Sequence, residues 1–273
     1  MGCGEEGGIY LEFGELLSAA LRDRGDAALT ALATHGSADN VERLAAGRVD
    51  IATVLADSDT TGFVALGRIY QNYLQCIVRA DGPVRTLDDL AGRPVSIGAP
   101  GSGASATTRR VLDALDLAQG PRAVLMTELL LGEAVAAVES GEIAAFFWSS
   151  GVPTPPIEEL SARTPVRVID TSTVVSALGR SSPNVYVETA IPRGVYGSLR
   201  WTPTLGVPNL LLARPDLDDV VVETLVDTLI DDARRLIPPG SVGVQYLTPS
   251  SLIDTSPTPL HPAAERRYRQ RYG

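Results

Sequence analysis

A run of glycine and hydroxyl residues near the middle of the chain has the residue types for binding an anion. It is segment 98–108, Gly-Ala-Pro-Gly-Ser-Gly-Ala-Ser-Ala-Thr-Thr, between a strand predicted at 94–99 and a helix predicted at 104–116. Glycines let the backbone approach a ligand, and a helix start carries a partial positive charge of about +0.5. Ser102 and Ser105 add hydroxyl groups. The segment therefore predicts a carboxylate or phosphate site, against the simpler explanation of an ordinary strand-to-helix turn.

The same segment also fits a dinucleotide-binding fingerprint, which is the main alternative. Gly101, Gly103 and Ala106 follow the spacing Gly-x-Gly-x-x-Ala, and Glu128 comes 25 positions after the second glycine, at a predicted strand end. This pattern would indicate an NAD(P)-dependent oxidoreductase whose acidic residue binds a ribose hydroxyl. However, residues 98–100 separate the strand from the first fingerprint glycine, where the dinucleotide fold has a tight turn. The anion site is therefore the favoured interpretation.

Other polar or aromatic side chains follow predicted strands or begin predicted helices. Candidate ligand contacts of this kind are Tyr10, Ser37, Asn40, Asp57 and Trp148. Each also has an ordinary structural explanation, because Ser37 and Asp57 suit caps and turns, and Tyr10 and Trp148 suit core packing. In open α/β sheets ligands bind at the carboxyl ends of strands. Several such loops at one sheet edge therefore support a binding site better than any single loop does.

Apolar runs and helical patterns alternate along the whole chain. Helices are predicted at 9–24, 39–46, 104–116, 129–140, 156–162 and 216–236. Strands are predicted at 28–34, 49–55, 73–80, 94–99, 123–127, 144–149, 166–170 and 185–191, and segment 205–213 is apolar. This βαβ order predicts a mainly parallel sheet covered by helices on both faces.

The order of these elements also predicts two lobes. Strand 73–80 enters a compact βα region and strand 185–191 leaves it. We therefore expect a discontinuous first lobe, residues 1–80 plus 185–273, and a second lobe, residues 81–184. Two lobes joined by two crossing strands are typical of a hinged ligand cleft.

The composition excludes several kinds of function. All 23 basic residues are arginines, against 33 acidic residues, so the formal charge is −10. Without lysine there is no P-loop or Schiff-base chemistry, and an acidic chain without a basic run argues against nucleic acid. Two cysteines, Cys3 and Cys76, and two histidines are too few for a metal cluster, and the cysteines could pair or stay free. The sequence shows no catalytic motif that would indicate an enzyme, and we expect no cofactor.

A series of weak motifs, taken together and in order, resembles one known family. The motifs are Gly7-Gly8-Ile-Tyr10; Gly36-Ser37-x-x-Asn40; Leu44-x-x-Gly47-x-x-Asp50; Gly98-x-Pro100-Gly101-Ser102-Gly103; Gly141-Glu142-Ile-x-Ala-x-Phe; Gly151-Val-Pro153-x-Pro155; Ile191-Pro192-x-Gly194-x-Tyr196; and Pro259-Leu-His261-Pro262-x-Ala264. They span nearly the whole chain. The sequence is similar to the TAXI family, the extracytoplasmic solute-binding subunits of TRAP transporters.

The resemblance implies a fold, a partner and a set of ligand contacts. The fold would be α/β and periplasmic-binding-protein-like (type II), with a small carboxylate-bearing solute such as glutamate, a 2-oxoacid or a dicarboxylate. The partner would be the TRAP membrane permease, and the protein an extracytoplasmic monomer. The matching positions are Tyr10, Ser37, Asn40, Ser102, Gly103, Ala104, Ser105, Ser150, Gly151, Pro153 and Tyr196.

The sequence departs from the family pattern in ways that affect these expectations. Leu55, Ala56 and Asp57 stand where the family has Gln-Ser-Asp, and Ala104 stands where it has threonine. Both changes make the predicted pocket less polar, so glutamate itself does not follow from the resemblance. No export signal precedes Cys3, which would be either an acylated lipoprotein cysteine or part of a strand. A sensory domain of the same fold is a further alternative.

Overall fold

The computed structural model describes residues 1–25, 27–243 and 246–273. The α-helices in this part of the chain are α1 (Ile9–Arg24), α2 (Ser37–Ala45), α3 (Gly103–Ala114), α4 (Leu131–Ser140), α5 (Pro155–Arg163), α6 (Val175–Ser181), α7 (Asp219–Asp231), α8 (Pro249–Leu252) and α9 (Pro262–Tyr272). The strands are β1 (Ile51–Leu55), β2 (Val64–Arg79), β3 (Pro94–Ser96), β4 (Leu125–Thr127), β5 (Ala145–Ser150), β6 (Val166–Ile169), β7 (Val187–Ile191) and β8 (Thr202–Ala213).

The chain divides into two compact units. The first unit is Met1–Gln71 with Pro208–Gly273, and the second is Asn72–Val207. The division falls inside β2 and β8, so each of these strands contributes to both units. The lobe limits at 80/81 and 184/185 were drawn from the sequence at strand ends, and they stay a prediction.

The first unit is built on β1, on parts of β2 and β8, and on helices around them. Strand β1 pairs antiparallel with β8, from Ile51 opposite Ala213 to Leu55 opposite Asn209. Helix α1 forms where the sequence predicted it, because its apolar residues recur at helical spacing and Gly25 ends it in the left-handed conformation, at φ 73°. Its buried face joins residues of α7 and α9 in one apolar cluster.

The first residues of the chain are buried in this unit. Gly2 pairs with Leu32 on one side and Ala52 on the other, both in parallel. The Gly2 N–H donates to the Ile51 carbonyl at 2.9 Å, and the Cys3 N–H donates to the Leu32 carbonyl at 3.1 Å. The strand predicted at 28–34 is thus reduced to an isolated bridge at Leu32. Cys3 and Cys76 are both buried and free, not disulfide-bonded.

The second unit contains both parallel and antiparallel strand pairs. Strand β3 pairs parallel with β4 and with β5. Strand β2 pairs antiparallel with β5 and β6, and β7 pairs antiparallel with β8. The prediction of a mainly parallel sheet is therefore wrong. The long strands β2 and β8 contribute to both units and run against their neighbours, which a simple βαβ repeat does not anticipate.

No helix in the described ranges combines the length and the apolar composition needed to cross a bilayer.

Candidate functional site

Three parallel strands of the second unit run with their carboxyl ends in the same direction. Ser96 at the end of β3 lies beside Thr127 at the end of β4 and beside Phe146 near the start of β5, which continues to Ser150. The loops that follow them, 97–102, 128–130 and 151–154, therefore leave the same sheet edge. Ligands of open α/β sheets bind at this kind of edge. Residues 98–105, the anion loop predicted from the sequence, lie there.

The anion loop ends in a well-capped helix start. Ser102 is the N-cap of α3, and its Oγ accepts a hydrogen bond from the Ser105 N–H at 3.1 Å. The Ser102 N–H donates to the Ala99 carbonyl at 3.1 Å. Of the four backbone N–H groups from Ser102 to Ser105, those of Ser102 and Ser105 are thus used within the chain. The remaining donors are Gly103 and Ala104, in the first helical turn, where an N–H has no carbonyl partner inside the helix.

Gly98 brings the strand end unusually close to this helix start. Its φ is +113°, a conformation that side-chain-bearing residues rarely adopt. A Cβ at this position would stand 2.9 Å from the Ser105 nitrogen and 3.0 Å from the Ser102 Oγ. Only glycine fits there. The close approach packs the Gly98 backbone against the first turn of α3.

Glu128 adds a negative charge beside the same turn. The Ser105 hydroxyl donates to its Oε1 at 2.5 Å, and the Arg109 guanidinium lies 3.2 Å from the same oxygen. The Ser105 hydroxyl is therefore engaged by a carboxylate of the chain. Glu128 is also the acidic residue that the dinucleotide alternative requires. It already accepts a hydrogen bond from Ser105 and forms an ion pair with Arg109.

The loop after β5 is held by a buried polar network. The Tyr196 hydroxyl donates to Gln75 Oε1 at 2.7 Å and accepts from the Thr154 N–H at 2.7 Å. Gln75 Nε2 donates to the Gly151 carbonyl at 3.4 Å, and Thr154 Oγ1 donates to the same carbonyl at 3.1 Å. Burial raises the pKa of Tyr196 above its ordinary value, so the hydroxyl stays protonated. Tyr196 therefore anchors the loop that contains Pro153.

Trp148 and Ser150 occupy the end of β5 and are both buried. Trp148 packs in an apolar cluster with Tyr73, Ile157 and Tyr196, as core packing would predict. Within the described residues its indole Nε1 is buried without a hydrogen-bond partner. Ser150 lies opposite Tyr73 in the β2–β5 pairing.

In the first unit, Tyr10 and Ser37 come together as part of another buried network. The Tyr10 hydroxyl donates to Asn209 Oδ1 at 2.5 Å and lies 3.4 Å from the Ser37 Oγ. Ser37 Oγ accepts from the Leu55 N–H at 3.0 Å. Asn209 Nδ2 donates to the Tyr70 carbonyl at 3.2 Å. Burial raises the pKa of Tyr10 above its ordinary value.

Asn40 has a structural role in the first unit. Its Nδ2 donates to the Cys3 carbonyl at 2.6 Å and to the Thr53 carbonyl at 2.7 Å, and its Oδ1 accepts from the Thr34 hydroxyl at 2.8 Å. Both amide hydrogens are used, so Asn40 has no side-chain donor to offer a ligand. Asp57 lies in the turn that directly follows β1 and is half-buried.

Two polar residues near these networks were not predicted from the sequence, Gln75 and Asn209, and Glu128 was named only for the dinucleotide alternative. Gln75 is the one polar residue in segment 73–78 of β2, Asn209 is the one polar residue in segment 205–213 of β8, and both are fully buried. A polar residue inside such a strand must find a partner, so this break in the pattern is a usable signal. In the described part of the chain, no three His, Cys, Asp or Glu side chains come together as a metal site.

Comparison with known proteins gives a family and a fold. Residues 57–271 match the model described as "NMT1-like family". The periplasmic aliphatic sulphonate binding protein SsuA from Escherichia coli is similar at TM-score 0.52 and 16% identity, over 99% of this chain and 82% of that one. XAC2383 from Xanthomonas citri, bound to ATP, is similar at 0.54 and 14%, over 99% and 94%. The arginine-, lysine-, histidine-binding protein ArtJ from Geobacillus stearothermophilus is similar at 0.50 and 14%, over 81% and 80%. The predicted α/β fold of the periplasmic-binding-protein type is confirmed.

Proposed function

The chain belongs to the NMT1-like family, and from this premise we propose that it is a solute-binding protein, not an enzyme, for a small carboxylate-bearing metabolite. The observation that carries the proposal is the first turn of α3 with Gly98 packed against it. Its fold is shared with the sulphonate-binding and amino-acid-binding proteins named above, and their ligands are anionic or carry a carboxylate.

The ligand carboxylate would accept hydrogen bonds from the N–H groups of Gly103 and Ala104. Hydrogen bonds from backbone donors to a charged group are among the stronger ones, and the helix start adds its partial positive charge. No arginine is needed in this arrangement. The Ser102 side chain supports it indirectly, because it caps α3 and fixes the direction of the first turn.

Glu128 favours an amino acid over the other carboxylates. A ligand carboxylate beside the Glu128 carboxylate would be repelled, since two like charges at a shared site disfavour each other. Arg109 offsets part of that charge at 3.2 Å, but its side chain is about half exposed and screened by solvent. A ligand ammonium group next to Glu128 would supply the missing positive charge. An α-amino acid therefore suits the site better than a 2-oxoacid or a dicarboxylate.

The finer features of the proposal come from the resemblance to the TAXI family. The protein would act outside the cytoplasm as a monomer and deliver its solute to a TRAP permease driven by an ion gradient. Residues 1–80 plus 185–273 and 81–184 would be its two lobes. Tyr10, Ser37, Asp57, Ser150, Gly151 and Pro153 would complete the ligand contacts. Asn40 and Tyr196 would shape the site without donating to the ligand, because their polar atoms are bonded internally.

Thermal-shift measurements against amino acids, 2-oxoacids, dicarboxylates, alkanesulfonates and NADH test the proposal. A ligand that binds only the folded state at a hundredfold excess over Kd adds about 2.7 kcal/mol of stability. We expect amino acids to give the largest shifts. A shift with NADH alone would support the dinucleotide alternative, and shifts only with neutral sugars would refute a carboxylate site.

A pair of substitutions at Gly103 isolates the backbone donor. Gly103→Pro removes one N–H at the first helical position, where proline is tolerated, and Gly103→Ala keeps it. Ser102 has φ −82° and ψ 153°, which suits a residue before proline. Loss of a hydrogen bond to a charged group costs about 1.5–3 kcal/mol. Gly103→Pro should therefore weaken binding about tenfold or more relative to Gly103→Ala. Equal affinities for the two variants would exclude this donor.

Substitution of Glu128 tests the amino-acid preference separately. Glu128→Gln keeps the size and the capacity to accept from Ser105 while removing the charge. We expect weaker binding of amino acids and stronger binding of the matching 2-oxoacids. If amino acids and 2-oxoacids bind Glu128→Gln with the same affinities as the unmodified protein, Glu128 does not select the ligand by its charge.

A further inference from the structure

The connection between β7 and β8 exposes two large apolar side chains. Leu199 is 93% exposed and Trp201 is 61% exposed. They lie on either side of Arg200, which is also exposed, and the nearby Arg193 is exposed as well. We call these four residues, Arg193, Leu199, Arg200 and Trp201, the basic tip. Large apolar residues exposed together are uncommon on a monomer and usually mark an interaction site.

The basic tip has a defined backbone. The Gly194 N–H donates to the Ser198 carbonyl at 2.7 Å, and the Ser198 hydroxyl donates to the Arg200 carbonyl at 2.7 Å. Below the tip, Tyr196 is buried and bonded to Gln75 and Thr154. Leu199 and Trp201 are therefore exposed on a turn that internal hydrogen bonds hold in place.

The charge of the basic tip is opposite to that of the chain. The chain carries −10 overall, yet residues 189–215 contain no Asp or Glu. Within the described ranges, neither the Arg193 nor the Arg200 guanidinium forms an ion pair. Unpaired arginines beside exposed Leu and Trp fit a partner that offers both anionic groups and an apolar interior. The acidic remainder of the chain would be repelled by the same partner.

We propose that the basic tip docks on an anionic lipid bilayer. Tryptophan side chains prefer the membrane interface, where the ring reaches the hydrocarbon boundary and the N–H stays hydrated. Arginines bind lipid phosphates through paired hydrogen bonds, and they are attracted by the negative surface potential. Leu199 and Trp201 would insert between headgroups, and Arg193 and Arg200 would remain at the headgroup level. This docking is independent of which solute the protein binds.

Trp201 gives a direct readout of this docking. The chain has two tryptophans, and Trp148 is buried at 7% exposure, so a vesicle-dependent change in emission or in acrylamide quenching reports Trp201. The probes are vesicles of phosphatidylcholine alone and of phosphatidylcholine with phosphatidylglycerol. We expect a blue shift and binding with the anionic vesicles. Each arginine near an anionic surface contributes enough that two of them give about a thirtyfold preference over zwitterionic vesicles. Added salt should reduce this preference.

Variants with matched controls complete the test, with binding measured by vesicle co-sedimentation. Leu199→Ala with Trp201→Ala should abolish binding, and Arg200→Glu should remove the preference for anionic lipid. The controls lie in the first unit: Val220→Ala, at a position 71% exposed on α7, and Arg234→Glu, which changes the charge by the same amount at another exposed arginine. Absence of binding by the unmodified protein, or binding unchanged by the tip substitutions, would overturn the proposal. Concentration-dependent self-association that requires Trp201, without vesicle binding, would assign the tip to a second copy instead.

Discussion

Tyr196→Phe is the sharpest test of how the second unit holds its β5 loop. The substitution removes only the hydroxyl, which donates to Gln75 Oε1 and accepts from the Thr154 N–H, both at 2.7 Å. Gln75 is fully buried and Thr154 is 2% exposed, so each would lose its partner away from water. A buried polar group left unsatisfied costs about 1–3 kcal/mol. With two such groups we expect a loss of about 2–6 kcal/mol in the free energy of unfolding.

Urea unfolding followed by Trp148 emission, in a Trp201→Phe background, measures this loss in the second unit. Tyr272→Phe is the control, since Tyr272 is 44% exposed and surface substitutions change stability by about 0.5 kcal/mol or less. Combining Tyr196→Phe with Gln75→Leu should show a coupling energy of about 0.5–3 kcal/mol, as expected for residues in one network. A loss for Tyr196→Phe no larger than the control, or full additivity with Gln75→Leu, would refute the network.

Three further predictions concern the first unit and the thiols. Asn40→Ala removes three buried hydrogen bonds, so we expect a loss of about 3 kcal/mol in urea unfolding, at about 1 kcal/mol per bond; a neutral result would contradict the structural role. Hydrogen bonds from Arg271 lower the pKa of Asp231, so their stabilisation is complete above about pH 4 and is lost as pH falls through the lowered pKa. When the pH is lowered from neutral to acidic, the melting temperature of Arg271→Leu should therefore fall less than that of the unmodified protein. Burial raises the pKa of Cys3 to about 11 and that of Cys76 above its ordinary value, so neither thiol should react with Ellman's reagent until the protein is denatured.

Local patterns in the sequence predicted several elements well. Helix α1 was predicted at 9–24 and forms at Ile9–Arg24, because helical periodicity and a C-terminal glycine agree there. The start of β2 was missed. Only 73–80 was predicted, whereas the strand begins at Val64. Gly67 and Arg68 interrupt the apolar run in that half, and the pairing of the strand with distant segments decides its conformation.

The long helix predicted at 216–236 is shorter in the structure. Asp218 caps α7 by accepting from the N–H groups of Val220 and Val221, as its position suggests. The helix ends at Asp231, and a separate 3-10 turn covers Ala233–Leu236. Amphipathic spacing continues through both segments, so periodicity alone does not show where one helix stops.

For the candidate site, the sequence indicated the loops but not the partners of their side chains. Ser102 as a helix cap follows from its place before a helical pattern. The bond from Tyr196 to Gln75, however, spans 121 residues, and that from Ser105 to Glu128 spans 23. Such pairs depend on which strands become neighbours. The sequence predicted a mainly parallel sheet, whereas β2 pairs antiparallel with β5 and β6.

The sharing of β2 and β8 between the units has a consequence for biosynthesis. The second unit is one uninterrupted stretch, Asn72–Val207, and all of it has been synthesised before Pro208 appears. The first unit cannot complete its fold at that stage, because β1 lacks its pairing partner until the ribosome has added residues 209–213. Domains fold as they emerge during translation. The internal segment should therefore reach its native state first, while residues 1–71 remain on the nascent chain as an incomplete half that a chaperone could protect.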